Sequence, residues 1–169
     1  MQIVMRAGPG VFGALALVLV LAAITFSPGE AAGPAQPIAF PHKVHVQDYR
    51  IDCQYCHSEA RRSEYAGIPS VTRCMGCHKI TAADRPEVQK LHEYFNNKAP
   101  VPWLRVHKLP EFVHFPHKRH VRAGLACQTC HGPVETMTVA ERVAPLTMGW
   151  CVECHTTRKA PVDCMVCHR

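Results

Sequence analysis

Beyond about Gln36 the sequence has few long apolar runs, although apolar residue types make up 47% of the whole chain. Much of that apolar fraction lies in the first 26 residues and in the ten cysteines. A core built only from the remaining Val, Leu, Ile and Phe side chains would be thin. We therefore expect some other group to fill the interior of the folded part.

The chain also lacks a long run of basic residues, although its formal net charge is +6. Its Lys and Arg residues are scattered, which is a weak signal for nucleic acid or anionic lipid. The sequence shows no nucleophilic triad, phosphate-binding loop or nucleic-acid-binding motif. These absences argue against hydrolase and nucleotide-binding classes, and they predict that nucleic acid is not a partner.

No cysteine lies outside a repeated motif. Five C-x-x-C-H motifs contain Cys53, Cys56, Cys74, Cys77, Cys127, Cys130, Cys151, Cys154, Cys164 and Cys167, followed by His57, His78, His131, His155 and His168. Disulfide bonds do not require a histidine after every cysteine pair. Zinc ribbons use two pairs per metal, so five pairs would leave one over.

Covalent attachment of c-type haem requires every residue of this motif. Cysteines at i and i+3 lie on one side of a helical turn and can form thioethers with the two haem vinyl groups. The histidine at i+4 then reaches the iron. The sequence predicts five covalently attached haem c groups, which would form most of the interior. Because each haem carries two propionates, the scattered basic residues are expected to pair with them.

Seven further histidines lie outside the motifs, and four of them occur in a repeated unit. The segment FPHKVH begins at Phe40, and FPHKRH begins 75 residues later at Phe115. Two motifs follow each unit, at steps of 74 and 77 residues, which predicts an internal duplication (about 40–78 and 115–155) with the fifth motif added. Histidines three apart can serve two different haems. The predicted distal ligands are His42, His45, His117 and His120.

A fifth distal ligand is less clearly marked. His107 lies in the extended, proline-bounded segment PWLRVHKLPEF and is the favoured candidate. Met148 would supply a thioether, which raises a haem potential. The alternatives that the residues leave open are His92, His114 and Met148.

A helix is predicted for the segment DRPEVQKLHEYF, with Asp84 and Glu87 as a capping box. Leu91 and His92 share one face of this helix with other apolar residues. Packing on that face therefore explains His92 as readily as ligation does.

At the N-terminus, Arg6 precedes an uncharged stretch from Ala7 to Ser27. About twenty such residues in a helix can cross a bilayer. We expect residues 1–28 to be a transmembrane anchor, with a cleaved signal peptide as the alternative. Residues 29–37 are a predicted linker, and residues 38–169 a predicted pentahaem cytochrome c domain.

The predicted fold is therefore a multihaem cytochrome c with little regular secondary structure. Short helices and loops would wrap around five haems, and one N-terminal transmembrane helix would precede them. Arg6 would stay in the cytoplasm. The expected location is the bacterial inner (cytoplasmic) membrane, with the haem domain on the periplasmic side.

The F-x-H-x-x-H units followed by C-x-x-C-H motifs resemble the class III multihaem cytochrome c family. The anchor, the five motifs, VPWLRVHKLPEFVHFPHKRHV and MGWCVECH are similar to the pentahaem subunit of alternative complex III, a bacterial quinol:electron-acceptor oxidoreductase. In that family the segment matching RVHKLPEF commonly carries a histidine, here His107, whereas the position of His114 often holds Tyr.

This resemblance implies a subunit that relays electrons from a quinol-oxidising complex to a periplasmic monohaem cytochrome or a terminal oxidase. Iron–sulfur and integral-membrane subunits would be its partners, and it would not be catalytic alone. Two alternatives stay open at this stage. One is a stand-alone, membrane-anchored multihaem quinol dehydrogenase, and the other is a soluble periplasmic electron shuttle.

Overall fold

Short helices joined by loops make up residues 33–168, the part of the chain that the computed structural model describes. The α-helices span Cys53–Cys56, Val71–His78, Pro86–Asn96, His117–Arg122, Gln128–His131, Met148–Thr157 and Cys164–Cys167. A π-helix spans Lys43–Asp48, and 3₁₀ turns span Ser58–Arg61 and Val134–Thr136. Within these residues the β pairing is an isolated antiparallel bridge between Val113 and His168. The predicted scarcity of regular structure is confirmed.

Polar side chains fix where three of the motif-bearing helices begin. The carboxylate of Asp52 accepts a hydrogen bond of 2.7 Å from the backbone N–H two residues later. The hydroxyls of Ser70 and Thr147 each accept one of 3.4 Å from the N–H three residues later. Such caps satisfy N–H groups that have no partner inside a helix. They place the following cysteines on helical turns.

The helix Pro86–Asn96 forms as predicted, but the predicted capping box is wrong. Its start has no side-chain cap: the N-cap residue is Arg85, whose side chain has no acceptor, and Pro86 follows in the first turn. The carboxylate of Glu87 accepts instead from the backbone N–H of Ala39, at 2.6 Å. Glu87 therefore ties the helix to the start of the described chain, and Asp84 is not its cap.

The aliphatic core is thin. Among residues 33–168 the buried hydrophobic residues are Ile38, Ala60, Met75, Leu91, Val101 and Met137. Four of them form one cluster beside the second motif: Ile38, Met75, Leu91 and Val101. Large apolar side chains elsewhere reach solvent, as Ile80 does at 88% exposure. The polypeptide alone therefore supplies little of the buried apolar area that a domain of this length needs.

None of the helices within residues 33–168 is both long enough and apolar enough to cross a membrane. The predicted anchor of residues 1–28 and residues 29–32 of the predicted linker lie outside the described residues.

Candidate functional site

The five motifs define five sites, numbered 1 to 5 in chain order, and each motif includes a helical turn. All ten cysteines lie in the described part of the chain, and none of them forms a disulfide bond. In no place do residues 33–168 bring three or more His, Cys, Asp or Glu side chains together in a group that could hold a metal ion. The sites are therefore built from cysteine pairs and pairs of histidines.

Most motif and unit histidines anchor one ring nitrogen to the backbone. The Nδ1–H of His57 donates to the carbonyl of Gly67 at 2.6 Å, and that of His155 to Pro161 at 2.6 Å. The same bond, at 2.7–3.3 Å, is made by His45, His78, His117, His120 and His168. Metal-binding histidines are held in this way, with Nδ1 bonded and Nε2 left for the metal.

Three pairs of imidazole rings lie at nearly the same separation. The centroid distances are 6.0 Å for His45 and His78, 6.3 Å for His117 and His131, and 6.0 Å for His120 and His155. Two imidazoles that bind one metal ion from opposite sides, each at about 2 Å, have centroids about 6 Å apart. Each pair is therefore spaced to hold one metal ion.

His42 lies near His57 of the first motif. Burial lowers the pKa of His42 to about 4, and His57 is the next largest cause, followed by His45. A histidine with this pKa is neutral at pH 7, which is the form that binds metals. The first histidine of each repeated unit thus lies near the first motif of that half, and the second near the second motif.

His131 lies deep in the same interior. Burial lowers its pKa to about 4, and His107, His117 and His57 add to the effect in that order. His131 is therefore neutral at pH 7 and lies among histidines from both halves of the chain.

Two phenylalanines that the sequence marked only as part of a repeat support the paired histidines. Phe40 stacks on His45 with centroids 4.3 Å apart, and Phe115 stacks on His120 at 4.2 Å. The same phenylalanines meet His42 and His117 edge to face. In the sequence, the only indication of this supporting role was that Phe recurs at the first position of both repeated histidine units. The rings fix the orientation of both histidines of each unit.

His92 does not offer its ε nitrogen to a metal. Its Nε2–H donates to the backbone carbonyl of His78 at 2.9 Å. The neighbouring Leu91 is buried in the aliphatic cluster. Of the two interpretations open from sequence, packing on the helix is the one that these contacts favour.

His107 also lies in the interior, beside the third motif. Its ring centroid is 4.3 Å from that of His131, which is too close for the two rings to share one metal. Its Nε2 is buried and has no hydrogen-bond partner. Burial, Arg142 and His117 lower its pKa, in that order. A neutral imidazole with a free, buried nitrogen is suited to metal ligation. The role of His107 as a distal ligand therefore stays a prediction.

Site 5 is built against the segment that precedes the second histidine unit. An isolated β-bridge pairs the backbone of His168 with that of Val113. The ring of His168 stacks on that of Phe112, with centroids 5.7 Å apart. The backbone N–H of His114 donates to the carbonyl of Cys167 at 2.8 Å. Met148, the remaining alternative ligand, is 67% exposed at the start of its helix.

Comparison with known proteins gives the class to which these sites belong. Residues 25–108 match the class III cytochrome c family, and residues 113–169 match cytochrome c7 and related cytochromes c. The chain is therefore a multihaem cytochrome c. Proteins of these families bind haem covalently, so haem c is its cofactor.

A named relative narrows the comparison further. Over 97 residues the chain is 38% identical to the multihaem cytochrome c subunit of a menaquinone reductase from Nitratidesulfovibrio vulgaris (strain Hildenborough). The alignment covers 57% of this chain and 45% of the relative, so the chain matches less than half of that protein's length.

The residues present fit covalently bound haem. Two cysteines three residues apart, neither of them in a disulfide bond, precede each motif histidine. The paired rings at 6.0–6.3 Å leave room for one iron between them. When bound, the haem supplies one-electron redox chemistry at its iron. The cysteines would attach the haem, and the paired histidines, oriented by their Nδ1 bonds, would hold its iron through Nε2.

Replacing His45 with Ala is expected to create one high-spin ferric haem, because site 2 loses the ring that faces His78. Replacing His92 with Ala is expected to leave every haem low-spin, since its ε nitrogen is bonded to a carbonyl. Low-temperature EPR of the two oxidised variants checks this pair. A high-spin signal in the His92 variant together with an unchanged spectrum for His45→Ala would contradict the assignment.

Proposed function

We propose that this protein is a membrane-anchored electron-transfer subunit with five covalently attached haem c groups. It passes electrons between a quinone-reactive respiratory complex and a periplasmic cytochrome or terminal oxidase. The observation that carries the proposal is the set of three histidine pairs with ring centroids 6.0–6.3 Å apart. An iron held on both sides has no open position for a substrate, so electron transfer is the chemistry left to it.

Ten histidines are assigned to the five irons in this proposal. The motif histidines take the proximal positions. The distal positions at sites 1, 2, 3 and 4 are taken by His42, His45, His117 and His120, respectively. His107 is proposed as the fifth distal ligand, supported by its buried Nε2 without a partner. Its ring lies beside His131 of site 3, so this assignment requires His107 to turn away from that site when haem is bound.

The proposed surroundings follow from the sequence and its resemblances. Residues 1–28 would anchor the chain in the bacterial inner membrane, with the haem domain in the periplasm. Iron–sulfur and integral-membrane subunits would be its neighbours, as in alternative complex III, and nucleic acid would not be a partner. The excess of six basic over acidic residues supports salt bridges to haem propionates.

The named relative favours a second candidate for the direction of electron flow. Since that protein is a subunit of a menaquinone reductase, this chain could instead deliver electrons towards menaquinone. The two directions are distinguished in the purified, intact complex. Reduction of the haems by added quinol supports the first, and reduction of added menaquinone by the pre-reduced haems supports the second.

A pyridine haemochrome assay combined with low-temperature EPR tests the proposal itself. We expect five haems per chain and only low-spin ferric signals in the oxidised protein. Fewer haems, or a high-spin signal in the wild type, would contradict it and indicate an open iron. The isolated chain should not oxidise quinol without its partners, as a stand-alone quinol dehydrogenase would. The mass of the mature N-terminus distinguishes an anchor from a soluble shuttle with a cleaved signal.

A further inference from the structure

Two backbone hydrogen bonds join the halves of the chain reciprocally. The N–H of Lys43 donates to the carbonyl of Met137 at 2.9 Å, and that of Lys118 donates to Ser63 at 3.0 Å. At the repeat steps of 75 and 74 residues, Lys43 corresponds to Lys118, and Ser63 corresponds to Met137. Each half therefore gives the other the same contact that it receives, which is the property of a twofold relation.

Sites 1 and 3 meet where the halves exchange these bonds. The Nδ1–H of His117, the proposed distal ligand of site 3, donates at 2.7 Å to the carbonyl of Glu64, which follows the first motif closely. In return, Lys43, next to His42 of site 1, bonds to Met137, which follows the third motif closely. Sites 1 and 3 are therefore neighbours, although site 2 lies between them in the chain.

Site 2 lies beside site 1, and site 4 lies beside site 3. The guanidinium of Arg73, in the helix of site 2, donates to the carbonyl of Tyr55 in site 1 at 2.9 Å. In the second half, His117 and His120 lie three residues apart on one helix. Their ring centroids are 6.3 Å from that of His131 and 6.0 Å from that of His155, which places sites 3 and 4 next to each other.

Site 5 continues the row beyond site 4. The Nδ1–H of His155 bonds to the carbonyl of Pro161, in the short segment that leads to the fifth motif. Only eight residues separate His155 from Cys164, so the fifth motif lies beside the fourth.

We propose that the five haem sites form a row in the order 2–1–3–4–5, with a local twofold axis between sites 1 and 3. Sites 2 and 5 are its ends, so electrons enter and leave the chain there. Each step moves one electron between neighbouring irons, one being oxidised as the other is reduced. This proposal rests on the five-haem relay, and it differs from a row in chain order by making site 1, and not site 2, the neighbour of site 3.

A reporter haem at site 3 tests the order. His117→Met replaces one imidazole by a thioether, which gives that haem a distinct sulfur-to-iron absorption band and a higher potential. Site 1 is then removed by Cys53→Ala/Cys56→Ala, or site 2 by Cys74→Ala/Cys77→Ala, in the full-length holoprotein. We expect the reporter's midpoint potential to shift on removal of site 1 and to stay unchanged on removal of site 2. Removal of site 5 by Cys164→Ala/Cys167→Ala is the matched control and should also leave it unchanged.

The opposite response, a shift on removal of site 2 alone, overturns the order. A haemochrome count and EPR spectrum of the wild type separate failure of the haem order from failure of the five-haem relay. If the wild type has five low-spin haems but the reporter potential shifts only on removal of site 2, the order is rejected and the relay is not. If a variant does not mature, anomalous scattering from the irons of the wild-type holoprotein decides the question. The proposal is overturned if the iron of site 2, and not the iron of site 1, is the nearer of the two to the iron of site 3.

Discussion

Without covalent haem the chain is expected to lose its fold. A variant with all ten motif cysteines changed to Ala should show no cooperative thermal transition and little protection of its backbone amides. The reason is the thin core, since the aliphatic cluster of Ile38, Met75, Leu91 and Val101 is the main apolar packing in the described residues. So few side chains do not offset the conformational entropy of ordering a chain of this length. Circular dichroism melts and amide hydrogen exchange provide the measurement.

A matched control separates loss of haem from loss of cysteine. The double variant Cys164→Ala/Cys167→Ala removes only the last site, which is held by the bridge to Val113 and a few contacts nearby. We expect it to keep a cooperative transition and four haems. A ten-cysteine variant that melts cooperatively, at a temperature near that of the wild type, would mean that the polypeptide and not the haem forms the core.

Met75→Ala is expected to lower the free energy of unfolding of the holoprotein by about 2–5 kcal/mol, the range for truncating a buried aliphatic side chain. Met75 is 2% exposed and packs in the cluster with Ile38, Leu91 and Val101. The cavity left behind would lie in this cluster, against which the haem-binding Cys74 also packs. Guanidinium unfolding followed by the Soret band measures the change.

The fifth motif provides the control for this substitution. Met165 occupies the same position in CMVCH as Met75 does in CMGCH, but it is 71% exposed. Met165→Ala should change the unfolding free energy by less than about 0.5 kcal/mol, as for most surface positions. Met75→Leu, which nearly conserves volume, should cost less than about 1.5 kcal/mol. Equal losses at the two methionines would show that burial does not explain the effect.

Local patterns predicted much of the architecture. Short helices follow from the C-x-x-C-H turns and from cap residues such as Asp52 and Ser70, all of which act within a few residues. The thin core follows from composition. The capping box failed because Asp84 and Glu87 have the right spacing, yet Glu87 found a partner 48 residues away in the N–H of Ala39. A distant contact of that kind leaves no trace in local spacing.

The pairing of histidines shows the same limit. The repeated units marked His45 and His120 as ligand candidates, but not the motif that each would face. That choice depends on chain reversal over tens of residues, which brings His45 to His78 and His120 to His155. His92 could be decided only from the structure, since its hydrogen bond to the backbone of His78 spans 14 residues.

The reciprocal bonds between the halves bear on how the molecule reaches its native state. Lys43 and Met137 are 94 positions apart, and Ser63 and Lys118 are 55 apart, so both bonds close long loops. Contacts of such high sequence separation form slowly and depend on prior local order. Each half supplies a carbonyl acceptor to the backbone N–H beside the other half's histidine unit. We therefore expect the tandem repeat to fold as one cooperative unit, and not as two modules joined by a spacer.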